Sequence, residues 1–366
     1  MKILKRVLTK CKGCAIIISK KLHVSNLGNP MKITRATVAK KAGVSVSTVS
    51  YVLNASRYVS PKLTEKVMRA VDDLGYSPDM AARSMVTKRS RILTIIANDL
   101  TNSMYGEIVM AIEREAMKRG YFINICTGQL PLKEYCKTMI GRRIDGVYFA
   151  SVPNKVDKAD IQLLLDNDIA ISCGNYLLPG EKRINRVDVD YRGGMKQAIA
   201  HLRGLGHRKI AYLDGFAKDF ALDEKLSSFL SNMKECGTEE PSVIYGYGAE
   251  RMTEKEGRLL AQQLVRKFPD ATGVIVYSDL MAYGVLQQLR AFGYRVPQDI
   301  SVVGIENNIS SNFTNPPLTS LSFDRNEFAC LIVQSLLGQI EEGKLSDSLV
   351  KMQLCIREST AKPKET

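Results

Sequence analysis

The sequence predicts an α/β protein in two parts, a small helical module followed by a large core of parallel βαβ units. Three observations predict it. The chain has 366 residues and a net charge of +14, yet nineteen Lys/Arg against four Asp/Glu lie before residue 92, and the 33 basic and 34 acidic residues that remain nearly cancel. Between residues 34 and 75, apolar residues recur at helical spacing between caps and glycine stops. From Ile92 onward, short β-rich runs alternate with amphipathic helices, the rhythm of strands covered on both faces.

The length allows two or three domains of roughly 100–200 residues each, and the 45% hydrophobic fraction can fill a sizeable core. No apolar run approaches the ~18–20 residues of a membrane span. The run from Ala15 to Ile18 is too short for the apolar part of a signal peptide. A cytosolic protein with no membrane partner is the expectation. The eight cysteines are scattered, several of them inside apolar runs (Cys126 in FINIC, Cys173 in IAISC), as buried free thiols of a reducing compartment would be. Cys11 and Cys14 have C-x-x-C spacing, but no second pair is near, and His23 alone of the three histidines is close in sequence. A zinc site needs four ligands, so no metal and no cofactor is expected.

Taken in order, residues 1–30 are basic, lack acids and show no amphipathic period. They read as a disordered extension, with added nonspecific DNA affinity as the alternative. The span 31–77 reads as three helices. Thr34 can cap the first, which turns Val38, Ala39 and Ala42 inward and stops at Gly43. Ser45 can cap the second, which has Thr48, Val49, Val52 and Leu53 on one side. Ser60-Pro61 opens the third, an N-cap followed by proline at the first helical position. Its apolar set is Leu63, Val67, Ala70, Val71 and Leu74, and Gly75 ends it. The segment 78–91 reads as a short hinge helix and linker, marginal in water by itself.

Residues 92–366 supply the runs ILTIIAND, YFINICTG, IDGVYFA, IAISCGN, RKIAYLDG, GVIVYSD and DISVVGIE. Ligands of such folds bind beyond the carboxyl ends of the strands, so the polar residues after each run are the candidates. There is no G-x-G-x-x-G and no Walker-type loop, so no nucleotide phosphate cradle is indicated. No nucleophile–base–orienter set and no metal cluster stands out, which argues against an enzyme. His207, just before a strand, reads as structural.

In the second helix, Val46, Ser47, Ser50, Tyr51 and Asn54 fall together at i, i+1, i+4, i+5 and i+8, opposite Val49, Val52 and Leu53. A helix braced by a partner across a tight glycine turn can lay such a free face in the DNA major groove. The face offers hydroxyls, an amide and a phenol but no acid, as a surface near phosphates and base edges requires.

The stretches AKKAGVSVSTVSYVLN, YVSPKLTEKVMRAVDDLGYSPDMAARSM, GHRKIAYLDG and VPQDISVVGIENN…PPLTSL resemble the LacI/GalR family of bacterial transcription regulators. The likeness runs collinearly from Ile33 to about Thr360. It implies an N-terminal helix-turn-helix, a hinge helix, and a two-subdomain core like periplasmic sugar-binding proteins. The subdomains would comprise about 92–190 plus 321–342, and about 191–320 plus the C-terminal segment. The resemblance further implies a homodimer on a near-palindromic double-stranded operator, whose affinity a small effector in the cleft changes.

Carried over by position, Val46, Ser47 and Tyr51 match base-reading residues, and Asn54 a backbone contact. Thr34 and Ser50 join them at the DNA surface. Tyr51 stands where an arginine is frequent, so the half-site should differ. Arg35 replaces a usual aliphatic residue, and Thr37 a usual acid. In the hinge, Arg83 aligns with a minor-groove-facing position and Met85 with a leucine wedged into that groove, where an apolar side chain can unstack a base step. Simple packing between two hinges is the alternative for Met85.

The implied effector positions depart further. Tyr105 matches a stacking aromatic and Asp190 is kept. Asn175 stands for a frequent aspartate, Lys225 for a clamping arginine and Ser278 for an asparagine beside the retained Asp279. Glu306 stands for an aspartate. Lysine lacks the planar fork of arginine, and Glu306 is a methylene longer. A cleft not tuned to a common hexose or purine is implied, binding another small polar metabolite or having weakened control. The expected function is a sequence-specific transcriptional regulator, most often a repressor. The rivals are a regulator with lost effector response and a transport-type sugar-binding protein, which would need a signal peptide and no helix-turn-helix.

Overall fold

The computed structural model describes residues 33–54, 57–77, 84, 87, 89–98, 100–150, 156–174, 180–218, 224–238, 240–246 and 253–364. The extension 1–30, Cys11, Cys14, Arg83, Met85 and Asn175 lie outside the described residues. The chain divides into two compact units at Arg83/Ser84.

The first unit holds α1 (Arg35–Ala42), α2 (Val46–Asn54) and α3 (Pro61–Leu74). Thr34 caps α1 in a reciprocal pair. Its Oγ1 accepts from Thr37 N at 3.3 Å while Thr37 Oγ1 accepts from Thr34 N at 3.2 Å. A threonine thus fills the position that glutamate holds in the usual capping box. Gly43 ends α1 at φ +59°, a left-handed turn that a side chain would strain. Ser45 Oγ accepts from Thr48 N at 3.1 Å at the start of α2. The core beneath is small: Val38, Ala39, Ala42, Val49, Val67 and Ala70. Pro61 opens α3 as expected, although Ser60 makes no side-chain cap bond, and Gly75 ends it in the left-handed region. One expectation fails here: Leu63 is 40% exposed. It sits in the first turn of α3, ahead of Val67, where that small core begins.

The second unit contains two six-stranded sheets. The first sheet takes β1 (Ile92–Ile96), β2 (Phe122–Cys126), β3 (Gly146–Phe149), β4 (Ala170–Cys173), β5 (Asn185–Val189) and β11 (Asp347–Val350) in the order β11-β5-β4-β3-β1-β2, all parallel. The second takes β6 (Ile210–Leu213), β7 (Ser242–Ile244), β8 (Gly273–Val276), β9 (Ser301–Ile305), β10 (Thr319–Phe323) and β12 (Met352–Cys355) in the order β12-β10-β9-β8-β6-β7. Only β12 runs antiparallel to its neighbour. The helices between are α4 (Ser103–Lys118), α5 (Leu132–Gly141), α6 (Lys158–Leu165), α7 (Tyr191–Leu205), α8 (Glu224–Glu235), α9 (Glu254–Lys267), α10 (Asp279–Ala291) and α11 (Arg325–Glu342).

One apolar cluster runs through both sheets. Phe328 of α11 meets Tyr148 of β3 edge-on at 6.2 Å and Phe323 of β10 at 5.2 Å. Cys136 and Cys173 are buried free thiols, each pushed up to about 12 by burial. Cys126 is only half-buried and Cys236 is exposed, because β2 is an edge strand and Cys236 follows α8 on the surface. His207 is structural: Nδ1 meets Thr272 Oγ1 at 3.0 Å and Nε2 meets the Ala361 carbonyl at 2.9 Å. Among the described residues no group of three His, Cys, Asp or Glu could hold a metal, and no helix is long and apolar enough to cross a membrane.

Candidate nucleic-acid interface and core cleft

In the first unit, Val49 is fully buried against α1 and α3, which fixes the roll of α2 about its axis. Val46 and Ser47 are exposed, and Ser50, Tyr51 and Asn54 are half-buried. The structure therefore brings the five positions to one free face. They are also ordered by their own contacts. Ser50 Oγ accepts from Arg35 Nη1 at 3.3 Å and from Asn54 Nδ2 at 3.2 Å. Ser47 Oγ lies 2.8 Å from Ser45 Oγ, and Arg57 sits 5.2 Å over the Tyr51 ring. No acid occupies the first turn of α1, α2 or α3. Thr34 is exposed at the mouth of α1, its hydroxyl engaged in the cap.

In the second unit, several of the candidate effector residues converge after the carboxyl ends of β8 and β9. Asp279 opens α10 and is fully buried. Its carboxylate accepts from Ser311 Oγ at 2.5 Å, Ser320 Oγ at 2.6 Å and Asn308 N at 2.8 Å. Burial raises its proton affinity, and the two serine hydroxyls oppose that. A β-carbon on Gly304 of β9 would collide with this carboxylate, so the strand must carry glycine there. Ser278 caps α10, accepting from Met281 N at 3.3 Å.

Glu306 follows β9 at φ +117°, with Asn307 at φ +50°. Two such backbones in succession cost of order 1–3 kcal/mol each unless the surroundings hold them. Here Arg325 donates to the Glu306 carbonyl, Ser320 Oγ accepts from Asn307 N at 2.9 Å, and Arg357 Nη2 donates to Asn307 Oδ1 at 2.7 Å. The Glu306 carboxyl takes Asn102 Nδ2 at 3.0 Å, from the turn before α4, and Asn308 Nδ2 at 3.2 Å. It thereby links an element of the first sheet's lobe to the second. Lys225 of α8 is buried. Its Nζ donates to the Tyr277 carbonyl at 3.0 Å and lies 3.9 Å from the Tyr277 ring centroid and 5.5 Å from that of Tyr191.

Two candidates are placed otherwise. Asp190 caps α7, accepting from Gly193 N at 2.8 Å. Tyr105 is half-buried on α4, packed against the large core cluster. Asn102, Asn308, Ser311, Ser320 and Arg325 were not among the sequence candidates. Position after a strand could have found Asn308, which follows β9; Arg325 follows β10, a strand the hydropathy pattern does not show, and nothing local could have found Asn102.

Burial pushes the Glu306 carboxyl up to about 7, with nearby Lys225 opposing and Asp279 adding to the rise. An acid so raised holds its proton more tightly folded than unfolded. Between its ordinary value near 4.5 and about 7, the folded state carries more protons, so this residue's contribution to stability falls as pH rises. Glu306→Gln mimics the protonated form and removes that loss, which amounts to about 3 kcal/mol at the top of the window. Melting scans at pH 5 and pH 8 should show the variant gaining on the parent as pH rises. A constant difference would mean that Glu306 is ionised throughout.

Residues 36–79 match the bacterial regulatory proteins of the lacI family, and residues 199–360 match the periplasmic binding protein-like domain. The chain is 31% identical over 326 residues to the HTH-type transcriptional regulator CelR of Thermobifida fusca, covering 84% of this chain and 93% of that protein. It is 29% identical over 338 residues to the HTH-type transcriptional repressor PurR of Vibrio vulnificus (strain CMCP6), covering 89% and 98%. Among solved structures, a CelR–cellobiose complex matches at TM-score 0.67 and 28% identity over 89% of this chain and 99% of that one. A lac repressor dimer bound to operator and the anti-inducer ONPF matches at TM-score 0.73 and 25% identity, covering 90% and 99%.

Proposed function

This chain belongs to the lacI family of bacterial regulatory proteins and is a DNA-binding transcriptional regulator, and from that premise we propose that it is a cytoplasmic repressor, working as a dimer on a near-palindromic operator. The observation that carries the reading is the free face of α2, acid-free, rolled outward by buried Val49, in a strongly basic quarter of the chain. Two copies would place two such faces in successive major grooves. Phosphate contacts from Lys and Arg would make affinity fall steeply with salt.

The pairing surface we propose is the exposed apolar side of α4 at Met110 and Met117, seven residues apart, beside edge strand β2 with its exposed Phe122. The CelR relative was solved with cellobiose and the lac repressor as a dimer on operator. By analogy, a small polar metabolite would enter near Glu306, Asp279 and Lys225 and shift operator affinity by binding two core arrangements unequally. Arg83 and Met85 would meet the minor groove, and Asn175 would line the effector cleft. The chain would act by binding rather than by catalysis.

Selection of duplexes from a random library by the purified chain tests this directly. A two-fold symmetric motif is expected, and a promoter overlapping it should fall silent when the chain is expressed. Enrichment of no motif at moderate salt would refute the reading. Met117→Glu should sediment as a monomer and hold the selected duplex at least tenfold more weakly, since one half-site is lost. Dimers unaffected by that change would place the interface elsewhere.

A further inference from the structure

We propose that Arg35 is a base-reading residue, which supplies from α1 the guanine-gripping guanidinium that α2 lacks; the assignment rests on the DNA-binding reading above. Arg35 is the first residue of α1. A cation there opposes the helix macrodipole, an unfavourable placement of about 0.3–1 kcal/mol, and no acid in the first turn offsets it. The small core beneath is complete without it, being built from Val38, Ala39, Ala42, Val49, Val67 and Ala70.

The side chain instead reaches the free face of α2, where Nη1 donates to Ser50 Oγ at 3.3 Å. That is the long end of hydrogen bonding. Among the described residues it engages one of the five N–H donors that a guanidinium carries. The rest of the fork is available beside Ser50, Tyr51 and Asn54. A guanidinium can take guanine O6 and N7 together, whereas the phenol of Tyr51 cannot. The other arginine at this face, Arg57, lies beyond the helix, its guanidinium carbon 5.2 Å from the Tyr51 ring centroid, a cation–π placement that engages it with the phenol ring.

The experiment is the same duplex selection, run on the full chain and on Arg35→Ala and Arg57→Ala. The unaltered chain should enrich a guanine in each half-site. Arg35→Ala should lose the preference at that base pair alone, with a roughly ten- to hundredfold fall in affinity for the parent motif, while Arg57→Ala keeps the preference. Melting should be unchanged or raised, since alanine suits a helix. An identical motif from Arg35→Ala overturns the assignment. So does uniformly weaker binding with a shallower salt dependence, which marks a phosphate contact. A guanine preference that vanishes with Arg57 instead, or no guanine preference at all, overturns it too. If the unaltered chain enriches no motif, the proposed function falls and this assignment with it; the other failures leave the proposed function standing.

Discussion

Ser47→Glu should abolish duplex binding while leaving the helical module as stable as before or slightly more so. Ser47 is the second residue of α2, exposed, on the free face beside Val46. A carboxylate in the first turn of a helix favours folding by about 0.3–1 kcal/mol, because it faces the positive end of the macrodipole. The same carboxylate would meet phosphates and base edges, where like charges cost several kcal/mol. The two effects have opposite signs and separate cleanly. A fluorescence-anisotropy titration with the selected duplex should show at least a hundredfold loss, and a melting scan no loss. Retention of affinity within threefold would mean that another surface faces DNA. Loss of both affinity and melting temperature would mean that α2 does not expose this face.

The helical module was readable because its signals are local. Thr34, Gly43, Ser45, Pro61 and Gly75 act within one turn of themselves, and within each helix the buried residues recur at helical spacing, Val38, Ala39 and Ala42 on α1 and Val67 and Ala70 on α3. The apolar strands were readable for the same reason. Hydropathy missed five strands, β5, β7, β10, β11 and β12, and of these β5, NRVDV, and β10, TSLSF, are buried along their whole length. Their polar side chains are bonded inside the fold: Asn185 Nδ2 to Gln339 Oε1 at 2.6 Å, and Ser320 Oγ to Asp279. Polarity reads as exposure in a sequence, and only the distant partner reveals otherwise.

The same reason divides the cleft. Asp279 and Glu306 stand directly after apolar strands, so fold class alone pointed to them. Asn102 reaches Glu306 across 204 positions of chain, a separation that no spacing rule covers. Lys225 was visible as a departure from arginine, but its seat between Tyr277 and Tyr191 was not, because each aromatic lies on a different element.

Asp279→Ala should cost about 4 kcal/mol of core stability, because it strands three donors in a buried site. The side chain is inaccessible, and three donors end on it. Alanine leaves the Asn308 amide and the Ser311 and Ser320 hydroxyls pointing into a hole, and each buried donor left unmet costs about 1–3 kcal/mol. The hydroxyls can rotate toward other acceptors: Ser311 already lies 2.9 Å from Tyr283 Oη. The Asn308 N–H cannot rotate, and its loss also frees the turn that carries Glu306 and Asn307 at positive φ. The core transition should therefore melt roughly 10 °C lower, and Asp279→Asn, which keeps the volume and one acceptor, should recover part of the loss. Were Asp279→Ala to melt within 2 °C of the parent, the carboxylate would not be the post on which this turn is anchored, and the strained Glu306 backbone would need another support.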